Sequence, residues 1–170
     1  MGKRLLILGA GGHGKVVREV ALSILGIDGT PVYETVDFLD DEEENAIGTI
    51  TDMEKFRNCY SEVFCGIGNN PIRKQLLKQA EEMGFSIPVL IHSSAYISPS
   101  AALEAGTVVE PKAIINANSI VRKGCIISVG AIIDHDVEIG EFSHVNAGAI
   151  VKAGTRVERG KKLEAGEVVF

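Results

Sequence analysis

The chain contains no tryptophan, and its 170 residues include only three tyrosines and six phenylalanines. Its core must therefore be built from aliphatic and small side chains, which suits a turn-rich, repetitive architecture. Cationic residues are also short: seventeen Lys and Arg stand against twenty-three Asp and Glu, a formal charge of −6. That balance argues against a polyanion-binding face and a nucleic-acid partner, because nucleic acid requires clustered Lys and Arg. Cysteine is sparse and odd in number. Cys59, Cys65 and Cys125 lack C-x-x-C spacing, which leaves neither a disulfide framework nor a zinc site, and no metal is expected. Long apolar runs are missing as well. The N-terminal MGKRLLILGAGGHG carries a short one with no cleavage pattern, and nothing approaches the length that spans a bilayer, so a cytoplasmic protein is expected.

What the chain has instead is a repeat. From Ile91 an aliphatic residue returns every sixth position, fourteen times without insertion: Ile91, Ile97, Leu103, Val109, Ile115, Val121, Ile127, Ile133, Ile139, Val145, Val151, Val157, Leu163 and Val169. Four residues after most of these comes a small one, such as Ala95, Ala101, Thr107, Ala113, Ser119, Cys125, Ala131, Ser143, Ala149 or Thr155. A period of six fits neither a helix at 3.6 nor a flat strand at 2. It is the mark of a parallel β-helix, in which each hexapeptide forms one side of a coil. Three sides make a triangular coil of eighteen residues. The aliphatic residues stack inside, each worth roughly 1.5–3 kcal/mol on burial, and the small ones sit at the corners.

The N-terminal half reads differently. Leu5–Leu8 is continuously apolar, as a buried parallel strand is. Gly9-Ala10-Gly11-Gly12-His13-Gly14 follows, then a helical pattern from Lys15 to Leu25 with Val16, Val17, Val20, Ala21, Ile24 and Leu25 on its buried face. Strand, glycine loop and helix form an anion-binding arrangement, since bare amides at a helix N-terminus attract phosphate. A second strand, Thr35–Leu39, ends in Asp40 and Asp41, which either meet a ribose or a base edge or belong with Glu42, Glu43 and Glu44 to a solvated loop, the reading favoured for the three glutamates. A short helix is expected over Thr51–Asn58 and a third strand over Glu62–Gly66. Asn70 reads as the cap and Pro71 as the first residue of a further helix reaching about Met83 and closing on Gly84. A strand over Ile87–Ile91 then leads into the first coil. Residues 1–88 are thus expected to form a small Rossmann-like α/β domain of βαβ units, and residues 89–170 the β-helix. In parallel sheets ligands sit at the carboxyl ends of the strands. Gly9–His13, Asp40–Asp41 and Gly68–Asn69 all fall there. The string G-A-G-G-H-G matches a dinucleotide fingerprint by position, but the βαβ unit is too small for a dehydrogenase and nothing downstream supplies a hydride-transfer site.

Two histidines interrupt the coil repeat, His135 beside Asp136 and His144 nine residues later. Transfer of an acyl group from a thioester needs a nucleophile that loses its proton as it attacks, and imidazole titrates in the right range to take it. An adjoining carboxylate fixes its tautomer and stabilises the imidazolium. A spacing of nine is one and a half sides of a coil. The two histidines therefore point to different faces of one prism, and a site that uses both must lie between two chains.

GAGGHGKVV, FLDD and IGNNPIRKQ, followed by LIHSSAYISPSA and IDHDVEIGEFSHVNAGA, resemble the bacterial sugar N- and O-acyltransferases of the sialic-acid O-acetyltransferase type, above all the UDP-4-amino-sugar N-acetyltransferases. The resemblance covers nearly the whole chain through Ala149. It implies a left-handed β-helix of hexapeptide repeats, a homotrimer with sites between subunits, acetyl-CoA as co-substrate and a UDP-linked amino sugar as acceptor. It implies His135 as general base, Asp136 as the acid that raises its basicity, and His144 as a contact to acetyl-CoA. Gly11, Gly12, His13, Asp40, Asp41 and Gly68 match the family's nucleotide-sugar contacts, whereas His92 reads as structural. Two other readings follow the same motifs: O-acetylation of a sialic acid or other sugar hydroxyl, and a non-catalytic β-helix that binds a nucleotide sugar. Two departures stand out. Where the family often carries Asn seven positions before the catalytic histidine, this sequence has Ser128; and it stops at Phe170, one or two coils earlier than the pattern leads one to expect.

Overall fold

In the computed structural model, which describes residues 2–170, the apolar run Leu5–Leu8 lies wholly out of solvent in strand β1 (Lys3–Leu8). β1 is the centre of a three-stranded parallel sheet, flanked by β2 (Tyr33–Leu39) and β3 (Glu62–Cys65). Parallel neighbours need crossover connections. Helix α1 (Gly12–Leu22) connects β1 to β2 and packs on both, while α2 (Asn70–Glu82) packs on β3. A 3-10 helix, Ile50–Phe56, precedes β3 and opens on a capping box between Thr49 and Asp52.

Several boundaries differ from the sequence expectation: β2 opens two residues early at Tyr33, the short helix covers Ile50–Phe56 and β3 ends at Cys65. α1 starts at Gly12 and stops at Leu22, so Ile24 and Leu25 lie beyond it; Leu25 is exposed and bridges back to Pro31 around a Gly26–Gly29 turn. α2 is capped by Asn69 and not Asn70: the Asn69 side chain accepts the Ile72 N–H at 3.1 Å, and Pro71 takes the second helical position. That position also lacks an intrahelical N–H bond, so proline costs nothing there. The strand over Ile87–Ile91 shrinks to Leu90–Ile91, because Pro88 has no N–H to give a ladder.

The C-terminal unit, from Val89 on, is a left-handed β-helix. Its two-residue strands pair with those eighteen positions away, giving three faces. Leu90–Ile91, Val108–Val109, Ile126–Ile127 and His144–Val145 form the first; Tyr96–Ile97, Ile114–Ile115, Ile132–Ile133, Ile150–Val151 and Val168–Val169 the second; Ala102–Leu103, Ile120–Val121, Glu138–Ile139 and Arg156–Val157 the third. The aliphatic register lines the interior. Ten of its fourteen members are buried in one cluster, and Ile91, Ile97, Leu103 and Val169, at the two ends, are partly buried against it. The small corner residues have a second use. Thr107, Ser119 and Ser143 hydroxyls donate to the carbonyls of Arg122, Asp134 and Glu158, each fifteen residues on, at 3.1, 2.6 and 2.9 Å. Cys125 does the same with its thiol toward Gly140 at 3.2 Å. Small polar side chains thus satisfy corner carbonyls that the strand ladders leave over.

Candidate functional site

The three loops at the carboxyl ends of β1, β2 and β3 are tied into one rim. The Asp40 carboxylate reaches back to accept the Ala10 N–H at 2.7 Å, and its other oxygen accepts the amides of Glu42 and Glu43 at 2.9 and 3.0 Å. These amides, Ala10 first, hold Asp40 below the ordinary carboxylate value. Asp41 accepts the Ile50 N–H at 3.0 Å. Both acids therefore shape the rim as well as lining it. The third loop is held by Arg73, which is fully buried; its guanidinium donates to the Ile67 and Gly68 carbonyls at 3.3 and 3.2 Å and to Asn70 Oδ1 at 2.8 Å.

The glycines of this rim fall into two kinds. A Cβ on Gly14 would sit 2.0 Å from the Gly9 carbonyl oxygen, and one on Gly66 would sit 2.6 Å from the Gly14 Cα. These glycines let α1 close against the sheet. Gly11, Gly12 and Gly68 are different: a Cβ on any of them meets nothing within 4 Å. They are bare backbone facing open space at the start of α1 and at the third loop. Gly11 also borders a shallow groove shared with Asp40, Glu42, Glu43, Glu44 and Asn45, in which Glu42 and Glu44 remain exposed, as expected of a solvated loop. His13 is half-buried in the first turn of α1.

On the β-helix, His135 and Asp136 occupy the corner between the second and third faces. Asp136 adopts a left-handed backbone (φ 58), as does Asn118 one coil earlier (φ 59); Asn and Asp are the non-glycine residues best suited to it. That turn brings two adjacent side chains together, with His135 Nδ1 at 2.7 Å from Asp136 Oδ2. Asn118 Nδ2 donates to the other Asp136 oxygen at 3.1 Å, and the His135 amide donates to Asp134 at 2.8 Å. The hydrogen bond to Asp136 raises the His135 pKa above 6.5, desolvation opposing it and the Asp134 charge assisting. His135 in turn, with Asn118, lowers Asp136. With Nδ1–H donated to Asp136, Nε2 is the nitrogen left to accept a proton, and both side chains stand more than half exposed.

His144 opens the last strand of the first face, a different side of the prism from the His135 corner. Its Nε2 lies 3.0 Å from Ser128 Oγ. His92 is engaged locally, its Nδ1 accepting the Ser94 amide at 3.0 Å. The contacts made by Asn118 and Ser128 were not foreseen in the sequence. Reading it in columns of eighteen reveals the first, since Asn118 lies directly beneath Asp136. Among the described residues no group of three or more His, Cys, Asp or Glu is arranged to hold a metal, and no helix is long and apolar enough to cross a membrane.

Residues 4–80 match the family described as the PglD N-terminal domain. Over 99% of this chain and 92% of the other, the structure matches the acetyltransferase domain of PglB from Neisseria gonorrhoeae with a TM-score of 0.81 and 32% identity. The same domain solved with acetyl coenzyme A matches over 99% and 93%, with a TM-score of 0.75 and 30% identity. PerB from Caulobacter crescentus, solved with CoA and GDP-perosamine, matches over 98% and 88%, with a TM-score of 0.79 and 29% identity.

Proposed function

The chain belongs to the bacterial sugar acyltransferase family that includes the PglB acetyltransferase domain, and is a sugar N-acetyltransferase; within that class we propose that it moves the acetyl group of acetyl-CoA onto the amino group of a UDP-linked amino sugar, with His135 as general base. The observation that carries the mechanism is the His135–Asp136 pair, held at 2.7 Å on a corner that Asn118 braces from the coil below. The neutral amine attacks the thioester carbon, a C–N bond forms, and His135 Nε2 takes the proton the amine sheds. The C–S bond then breaks, and the thiolate leaves, to be protonated as CoA. Asp136 stabilises the imidazolium while it holds that proton.

The N-terminal rim is the nucleotide-sugar site in this reading. Gly11, Gly12 and Gly68 offer amides to the diphosphate where no side chain intrudes. His13 stands beside them, and Asp40 and Asp41 face the ribose or base; a carboxylate has lone pairs beyond those the backbone amides use. His144 meets acetyl-CoA. Because His135 and His144 lie on different sides of the prism, the reading places the site between two copies in a homotrimer. An outward stripe on the second face supports it: Tyr96, Ile114, Ile132, Ile150 and Val168 stack in register as one apolar column, bounded on one edge by the corner that carries His135.

The test is thiol release from acetyl-CoA with UDP- and GDP-linked amino sugars, comparing wild type with His135→Ala. Release with a UDP sugar that collapses in the variant supports the reading, and equal rates would sink His135 as the base. A product labile to alkali would be an ester and favour O-acetylation, whereas an amide survives. Nucleotide-sugar binding without any thiol release would favour the non-catalytic alternative.

A further inference from the structure

The corner that follows Ile127 contains more buried polarity than a coil corner requires. Glu110 and Ser128 stand eighteen residues apart, one above the other, and are only 6% and 5% exposed. The Glu110 carboxylate accepts the Val129 N–H at 2.9 Å. Gly130 donates to the Pro111 carbonyl and Ala131 to the Ser128 carbonyl, both at 3.0 Å. The backbone of this turn is thereby held at three successive amides, and Ser128 projects from it to His144 Nε2 at 3.0 Å. The other ring nitrogen, Nδ1, is shut off from solvent, so Nε2 is the polar atom the ring can present, and Ser128 already holds it.

The same carboxylate-to-amide device occurs at another corner, where Glu104 accepts the Lys123 N–H at 2.9 Å. There the glutamate side chain is 40% exposed and also pairs with Arg122. Closing a turn does not call for burying a carboxylate, which is costly. At Glu110 the burial coincides with the corner that supports the Ser128–His144 contact.

We propose that Ser128, on a turn locked by Glu110, is a positioning residue for the coenzyme: it fixes the His144 ring and presents hydroxyl and imidazole to the thioester coenzyme as one unit. The proposal rests on the reading that His144 meets acetyl-CoA. A serine hydroxyl has one proton and two lone pairs. Bonded to Nε2, it retains a further position to offer an amide or carbonyl of the coenzyme. Alanine removes that position, threonine preserves it, and glutamine at 110 preserves an acceptor for Val129.

The experiment combines calorimetry with CoA, steady-state kinetics and nitrogen-15 imidazole spectra of the full chain, for wild type, Ser128→Ala, Ser128→Thr, Glu110→Gln and His144→Ala. Ser128→Ala should move the His144 Nε2 resonance and weaken CoA binding by about threefold to tenfold, the scale of one hydrogen bond. KM for acetyl-CoA rises in step, while kcat stays within about twofold, the pattern of a lost binding contact. Ser128→Thr restores the resonance and the affinity, and Glu110→Gln keeps both near wild type. If His144→Ala weakens CoA binding but Ser128→Ala changes neither resonance nor affinity, the inference fails and the coenzyme reading stands. If His144→Ala binds CoA as wild type does, the coenzyme reading fails and takes the inference with it. An acetyl adduct on Ser128 after incubation with acetyl-CoA would make it a nucleophile and overturn the positioning role.

Discussion

Two glycines two residues apart should respond to the same substitution in opposite ways. Gly14→Ala places a methyl 2.0 Å from the Gly9 carbonyl oxygen and 2.9 Å from its carbon. Both are backbone atoms and cannot rotate away, so α1 must lift from the sheet by about an ångström to reach normal contact. Overpacking of this kind costs roughly 1–3 kcal/mol. For a domain of this size each kcal/mol lowers the midpoint by about 4–8 °C, so melting of the N-terminal unit should fall by at least several degrees. Gly12→Ala meets nothing within 4 Å. In the first turn of a helix it removes unfolded-state freedom, and the same unit should melt unchanged or up to about 1 kcal/mol more stable. Yet in the proposed site the new methyl stands where the diphosphate approaches the amides. The same 1–3 kcal/mol of overpacking then appears as a Kd for the nucleotide sugar about fivefold to 150-fold weaker. Scanning calorimetry measures the first quantity and isothermal titration the second. Gly12→Ala with wild-type affinity would refute the placing of the phosphates at this loop, and Gly14→Ala with a wild-type midpoint would refute the packing argument.

Other outcomes follow from the β-helix. As the proposed base His135 must be neutral to act, so kcat/KM should fall as pH drops through its pKa, which the hydrogen bond to Asp136 raises. In Asp136→Asn that acidic limb should move to lower pH and the plateau above it should drop about tenfold or more; a limb that stays in place would count against Asp136 as the cause. Ile132→Glu puts a charge in the middle of the apolar column on the second face, and if the proposed trimer packs through that column, light scattering should show monomers with no acetyl transfer. A stable trimer in that variant would exclude this face from the interface. Ile127→Ala empties a fully buried position in the coil interior and should cost about 2–5 kcal/mol, read from denaturant unfolding of the C-terminal unit.

The parts of the fold that were legible in the sequence are those in which each residue's fate follows from its own period. The fourteen aliphatic positions are such a case, since a column of identical demands cannot be satisfied by another register. Element ends were less legible. Asn69 and Asn70 are chemically equivalent caps, and only the path of the chain decides that Asn69 takes the role. The strand before the first coil was overextended because apolar residues near Pro88 carry a strand's composition without its hydrogen bonds.

The candidate site divides along the same line. His135, Asp136 and His144 could be picked out by type and spacing, because an imidazole next to a carboxylate, with a second imidazole nine residues on, is a chemical pairing that the coil itself does not require. That Asp136 turns through a left-handed conformation to reach the ring beside it, and that Asn118 braces it from eighteen residues away, depends on coil stacking. The glycine loop shows the contrast most clearly. The sequence by itself determined that several glycines cluster after a buried strand. Only the tertiary structure separated Gly14, which must be bare because a helix lies against a backbone oxygen, from Gly11 and Gly12, which are bare toward open space. A glycine's letter records the absence of a side chain, and what would have occupied that volume is known only when the rest of the chain has closed around it.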